Sequence, residues 1–299
     1  MANITSTLLT SGVYSNNTNI CSVDLDYVPW ENNSMSNAFN ECLNLTSVNN
    51  ISQNVTNMYR TFFRCYNLVN APVIPNSVSN MGSTFSNCKN LVNAPEIPNS
   101  VTNMYQTFYN CSNLVNGPTK IPDGVYEMDE MFLYCSKLTT LPILPNGITT
   151  LRRPFMNCYS ITDAPEIPNS VTTLDATFRW CTNLVNAPTI PNSVTEMYMV
   201  FGGCSNLVNA PIIPNSSNLY LIYGLFSGCS NLRGDVIIQS QNITNAYNCF
   251  YNTSLTKNVY IPFTYENGVN TKTYNSFIDA GYDTNGTSCG VYLKDINTL

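Results

Sequence analysis

The chain is expected to fold as a repeat solenoid. Two observations carry that expectation: a Phe-x-x-Cys pair that returns every 23 to 25 residues, and a near-constant phrase between the pairs. The phenylalanines are Phe39, Phe62, Phe85, Phe108, Phe132, Phe155, Phe178, Phe201, Phe226 and Phe250. The phrase is Cys-x-Asn-Leu-Val-Asn-Ala-Pro-x-Ile-Pro-Asn-Ser-Val-Thr-x-Met. A fixed period with apolar residues at set offsets marks units that cannot bury an apolar face alone and do so by stacking. One elongated body of about ten coils is therefore expected over residues 35–253 of the 299. Residues 1–34 serve as an N-terminal cap or adaptor and 254–299 as a C-terminal cap, because the first and last coils must hide their open apolar faces.

The coil from Met104 to Glu127 stands for the others. Met104, Phe108, Cys111 and Leu114 follow one another at intervals of four, three and three, the spacing of one helical face. A short helical or 3₁₀ turn is expected from Met104 to Cys111. Leu-Val-Asn-Gly-Pro-Thr-Lys-Ile-Pro follows, and its two prolines cannot donate to a ladder, so any strand is short and centred near Leu114. Pro-Asn-Ser then turns the chain at Asn76, Asn99, Asn169 and Asn192, with Asp123-Gly124 and Asn146-Gly147 in the same place in two other coils. These are residues that tolerate tight turns. The 46 asparagines are too many for a site and are expected to bond from coil to coil as scaffold.

Twelve cysteines invite a disulfide reading. Nine of them, Cys42, Cys65, Cys88, Cys111, Cys135, Cys158, Cys181, Cys204 and Cys229, hold one repeat position and form a column. Coils of a parallel stack lie about 4.8 Å apart, so distance alone permits bridges. The odd number of members, their common direction and Thr253 in the tenth slot all favour a reduced, buried ladder of thiols behaving as small hydrophobes. A single file cannot surround a metal ion, and the chain has no histidine to complete a set. Cys21, Cys249 and Cys289 lie outside the column.

The chain is 43% hydrophobic and only 10% charged, so its polar surface comes from Asn, Ser, Thr and Tyr. A net charge of −6 with 12 scattered basic residues argues against nucleic acid. The N-terminus shows no basic or apolar leader and no segment long enough to enter a membrane, and Met1 argues against a trimmed leader. Catalysis is also disfavoured. Glu96 and Glu166 would lie about 14 Å apart, beyond glycosidase separations, and Arg152 between Asp129 and Asp175 would keep both ionised. No phosphate loop, nucleophile elbow or metal spacing occurs, so no cofactor is expected.

The units Phe-x-x-Cys-x-x-Leu-x-x-hydrophobic-x-Ile-Pro-x-Ser-Val-Thr resemble those of BspA-like, Treponema-type leucine-rich repeat proteins, over residues 35 to about 250. The resemblance implies a right-handed leucine-rich-repeat-like superhelix with a parallel sheet along one face, and a role in surface attachment or recognition. The tail from Tyr260 to Tyr282 resembles closing segments of such repeats in proteins of gut bacteriophage and Bacteroides. A virion component, such as a tail fibre, reconciles an unpaired thiol column with an extracellular role, since it is assembled in the reducing host cytoplasm and released by lysis. The alternatives are a purely structural virion part and a bacterial cell-surface adhesin. Expected partners are a host surface glycan or protein and neighbouring virion proteins, with room for homo-oligomers.

Positions that vary among near-identical coils are where recognition is expected. Three residues before each phenylalanine stand Tyr59, Tyr105, Asp129, Arg152, Asp175 and Tyr198, among others, and Glu130 and Arg153 repeat the alternation of charge one position along. An ion-pair ladder accounts for the charged stretch as well as a binding patch does. The candidate binding residues are Tyr59, Tyr105, Tyr134, Arg152, Arg153, Tyr159, Arg179, Trp180 and Tyr198, centred on residues 128–181, where aromatic and hydrogen-bonding groups suit sugar rings or a protein interface. Trp30, just before the first coil, is expected to cover its open end.

Overall fold

The computed structural model describes residues 8–253, 257–265, 267–285 and 290–299. They fall into two compact units, Met1–Ile148 and Thr149–Leu299, instead of the single body expected.

In the first unit a constant period brings equivalent side chains over one another. Tyr14, Phe39, Phe62, Phe85, Phe108 and Phe132 form one stack, with ring centroids 5.1 to 5.6 Å apart and planes within 18° of parallel. All five phenylalanines are fully buried. Tyr14 occupies the phenylalanine position of a coil that precedes residue 35, so the repeat geometry begins inside the segment assigned to the N-terminal cap. Trp30, nine residues before Phe39, is 1% exposed.

The helical turn expected over Met104–Cys111 is replaced by a run of tight turns. Thr107, Tyr109 and Cys111 donate their N–H groups three residues back, to Met104, Gln106 and Phe108. The residues between them donate instead to the next coil: Met104 to Glu127, Gln106 to Asp129, Phe108 to Met131 and Asn110 to Leu133, at 2.7 to 3.0 Å. Gln106 (φ 52°) and Asn110 (φ 55°) take the left-handed conformation, which reverses the chain after each turn. A helix would spend every donor on its own coil. Sharing alternate donors satisfies the buried backbone of two coils at once, and the four-three spacing is common to both arrangements.

Parallel pairing recurs in two places per coil, with a further bridge between Lys120 and Ile143. One column of single bridges runs Ser34, Asn57, Asn80, Asn103 and Glu127, five residues before the phenylalanine; the other runs Asn70, Asn93, Asn116 and Thr140, eight residues after it. The strand expected near Leu114 is thus one bridge at Asn116. The Ala-Pro that follows removes the next donor and stops the ladder. Where the proline is missing the ladder lengthens: β1 (Ser22–Asp24) pairs with β2 (Ser47–Asn49), Val23 opposite Val48.

In the second unit three strands form before the phenylalanine. β3 (Thr150–Arg152), β4 (Thr173–Asp175) and β5 (Glu196–Tyr198) make a parallel sheet with Leu151, Leu174 and Met197 in register. β6 (Val236–Ile237), β7 (Lys257–Ile261) and β8 (Val291–Asp295) make another. Among the described residues the sheets contain two, three and three strands, not the continuous parallel sheet that the resemblance implied. Phe155, Phe178, Phe201, Phe226 and Phe250 stack at 5.6 to 5.9 Å. Phe277 of helix α1 (Lys272–Asp279) lies 6.3 Å from Phe250 and closes that stack. The helix starts on Thr271, whose hydroxyl accepts the Tyr274 N–H. Tyr282 accepts the Phe250 N–H at 2.9 Å, taking the place of a carbonyl from a further coil.

The nine column cysteines are buried and free. They do more than fill space. Cys65, Cys88 and Cys111 donate S–H to the carbonyls of Phe39, Phe62 and Phe85 at 3.0 to 3.1 Å, and Cys181, Cys204 and Cys229 do the same to Phe155, Phe178 and Phe201. Cys249 is buried one position before Phe250, where other coils carry Thr61, Thr84, Thr107 and Thr177; Cys21 is exposed, and Cys289 lies outside the described residues. Asparagines do bond between coils, as Asn93 to Asn116 at 2.7 Å and Asn87 to Asn110 at 2.8 Å. The serine of the Pro-Asn-Ser turn reaches back too, with Ser100 donating to Val78 at 2.6 Å.

Thr107 is fully buried and its hydroxyl lies 2.9 Å from the carbonyls of both Met81 and Met104. Thr107→Val keeps the shape and removes the donor, so a loss of about 1–3 kcal/mol is expected in urea unfolding. Ser112, exposed to water in part, supplies the control: Ser112→Ala is expected to change stability by less than about 0.5 kcal/mol.

Candidate functional site

Two aromatic clusters on the second unit stand out, and both arise from how the coil is built. The residue two places after each core phenylalanine is left-handed. In this unit the series reads Asn157, Trp180, Gly203, Gly228 and Asn252, with φ of 60, 62, 78, 75 and 56°. Asparagine and glycine suit that conformation, whereas tryptophan does so at some cost. A Cβ on Gly203 would come within 2.4 Å of Trp180 Cε3, so the indole fills the space that a side chain would otherwise take. A Cβ on Gly228 would meet only the Gly203 backbone, at 3.4 Å. That position is left open. The result is a recess of about 210 Å³ bounded by Arg179, Trp180, Met199, Ser227, Tyr251 and Asn252. Trp180 is 44% exposed and Tyr251 62% exposed, and the Arg179 guanidinium lies 6.0 Å from the indole centroid.

The second cluster is a tyrosine ladder three residues before the phenylalanine. Tyr198 stacks on Tyr223 at 5.2 Å with planes 7° apart, and the Tyr223 hydroxyl accepts from Asn248 at 3.1 Å. Tyr198 and Tyr247 are exposed. Close by in sequence, Tyr220 donates to the Glu196 carboxylate, which raises the phenol above its ordinary range.

The nine residues singled out from sequence do not form one patch. Tyr59, Tyr105 and Tyr134 belong to the first unit; Arg152, Arg153, Tyr159, Arg179, Trp180 and Tyr198 belong to the second. The stretch 128–181 is likewise divided between the units, and the recess beside Trp180 draws instead on residues as far on as Asn252. Arg179 and Trp180 line that recess and Tyr198 heads the ladder. Arg152 pairs with Asp175 at 3.5 Å in an exposed setting that contributes at most about 1 kcal/mol. Arg153 and Tyr159 are exposed, the Tyr159 hydroxyl 3.3 Å from Asn157. Tyr134 meets Tyr109 edge to face at 5.9 Å. On the same unit Arg60 lies 4.1 Å over the Phe63 ring while Arg64 pairs with Glu41 at 2.9 Å.

Sequence reasoning overlooked Gly203, Gly228 and Tyr251. Their signal was a gap: glycine stands twice where the other coils place a polar or aromatic side chain. Further grooves lie between successive Ala-Pro-x-Ile-Pro segments, about 520 Å³ beside Val73 and Glu96 and about 400 Å³ beside Glu166 and Thr189. Because they recur with the repeat in both units, they belong to the scaffold. Among the described residues no three His, Cys, Asp or Glu side chains gather to hold a metal ion. No described helix is long and apolar enough to cross a membrane.

The model of the BspA type leucine rich repeat region matches residues 3–115, 60–176 and 152–277. The chain belongs to the BspA-type leucine-rich repeat family. Repeats of this type generally serve protein binding or adhesion and not catalysis. A crystal structure of a leucine-rich repeat protein from Bacteroides ovatus is similar over 75% of this BspA-type chain, at 25% identity and a TM-score of 0.57. The chain spans 62% of the length of that protein. A leucine-rich repeat protein of T. pallidum is similar over 50% of the chain and 69% of its own length, at 27% identity and a TM-score of 0.43. No curated protein matches the chain.

Proposed function

We propose that this BspA-type chain is a non-enzymatic recognition or adhesion protein, a right-handed solenoid displayed on a phage virion in a tail fibre or similar position, that binds a host surface glycan or protein. The observation that supports it most is the concentration of exposed aromatic rings, Trp180, Tyr198, Tyr247 and Tyr251, on the second unit. Rings with a polar edge bind sugar faces and protein surfaces through the same amphipathic character. The free, buried thiols are compatible with folding in a reducing host cytoplasm before release. Near these rings, Glu196 is engaged by Tyr220 and Asp175 by Arg152.

The test uses the full chain immobilised against purified envelope polysaccharides and outer-surface proteins of a susceptible host. Saturable binding to at least one of them is expected, together with labelling of intact virions by an antibody to the chain. Tyr198→Ala/Tyr247→Ala is expected to weaken that binding at least about tenfold if these rings lie at its centre, the loss typical of a hot spot. Virion labelling without binding to any envelope component would favour a purely structural part, and absence from the virion would favour a cell-surface adhesin.

A further inference from the structure

We infer that the recess beside Trp180 is a subsite for one neutral pyranose unit, held by its apolar face against the indole. The inference rests on the recognition reading above and narrows it to a place and a ligand class. The recess exists because the sequence breaks the repeat there. Elsewhere the position two after the phenylalanine is filled by Glu41, Arg64, Asn87, Asn110, Tyr134, Asn157 or Asn252, but Gly203 lets the Trp180 ring lie down and Gly228 leaves the space ahead of it empty.

The lining selects the occupant. A flat aromatic wall favours a ligand with a flat C–H face, and sugar rings present one. The remaining polar side chains are the Ser227 hydroxyl, the Asn252 amide, the Tyr251 phenol and the Arg179 guanidinium, all able to bond hydroxyls, while among the described residues no carboxylate lines the recess to attract a cation. A peptide added by backbone pairing is disfavoured. The N–H groups of Trp180, Gly203 and Gly228 are already given to Gly202, Ser227 and Tyr251, each at 2.7 Å. Recognition there is left to side chains. A recess of about 210 Å³ is also small for a folded partner's side-chain cluster and suits a single ring.

The chain carries its own reporter. Of its 2 tryptophans, Trp30 is 1% exposed, so ligand-induced changes in emission come from Trp180. The full chain is titrated with methyl glycosides of glucose, galactose, mannose and N-acetylglucosamine. At least one is expected to saturate the emission change with a Kd on the order of 1 mM. Gly228→Asn is expected to weaken it at least about tenfold, because it fills the recess with a residue that four other coils accept in the same left-handed conformation, at Asn87, Asn110, Asn157 and Asn252. Trp180→Ala, followed by ligand-observed NMR, is expected to lose binding as well. No response to any neutral glycoside, a response confined to charged sugars, or undiminished affinity in Gly228→Asn would each overturn the subsite. If the envelope binding described above also survives Gly228→Asn, recognition lies elsewhere on the chain and only the subsite falls.

Discussion

Phe85→Ala is expected to cost the first unit about 3–5 kcal/mol, the range for removing a buried aromatic ring. Phe85 is wholly buried and stacked on both sides, 5.4 Å from Phe62 and 5.6 Å from Phe108, so the void opens between two neighbours that the backbone ladder prevents from closing in. Stability of a repeat array is a sum of units and nearest-neighbour interfaces, and this change weakens two interfaces together. Urea unfolding followed by tyrosine and tryptophan emission, which report different coils, measures it. A loss below about 1 kcal/mol would mean that the ring column does not carry the core. Cys111→Ala provides the comparison, with a smaller expected loss of about 1–2 kcal/mol for one S–H bond to the Phe85 carbonyl.

Mild alkali is expected to unfold the protein. Burial pushes Cys42, Cys65, Cys88, Cys111, Cys181, Cys204 and Cys249 above the ordinary thiol range, and Cys229 up to about 12. Below about pH 8 these thiols are protonated in both folded and unfolded chains, and pH has no hold on them. As pH rises past about 8.5 the unfolded chain releases protons that the folded chain keeps, so folding weakens progressively up to the folded-state values. At about pH 9.5 each fully buried thiol among them costs about 1.4 kcal/mol, so three in the first unit and four in the second approach the lower end of the roughly 5–15 kcal/mol that stabilises a typical domain. Circular dichroism against pH is expected to show cooperative loss of structure between about pH 9 and 10.5. Replacing Cys88 and Cys111 with alanine should move the midpoint upward even though it lowers stability at neutral pH.

Much of the architecture was legible because it depends on period. The phenylalanine and cysteine columns follow from spacing alone, and so do the asparagine ladders. What sequence could not reveal was the local path between Met104 and Cys111, since intervals of four and three fit a helical turn and a series of tight turns equally well. The deciding signal was physical: left-handed positions at Gln106 and Asn110 break a helix, yet hardly differ from it in residue type. Strand placement failed for a related reason. Proline after Asn93 limits the expected ladder to single bridges, while the longer pairing in that slot, Ser22–Asp24 with Ser47–Asn49, forms where no proline intervenes; nothing in residue type alone marks the slot before the phenylalanine, where Leu151 pairs with Leu174. At the site, the aromatic residues were recognisable as variation, but the recess they border is made by the absence of side chains at Gly203 and Gly228.

The alternating donors of the turn series also bear on how such a gene can change. Within a unit each coil offers its neighbour the same set of carbonyls and takes the same set of amides, so deleting or duplicating one 23-residue block there leaves the backbone bonding of the new junction in its repeating pattern. Length differences fall outside the turns, as where Gly117 to Pro122 holds one residue more than Ala94 to Pro98. Unequal crossing-over within the reading frame would then yield foldable descendants at once, each carrying its specialised coils in a new order or number.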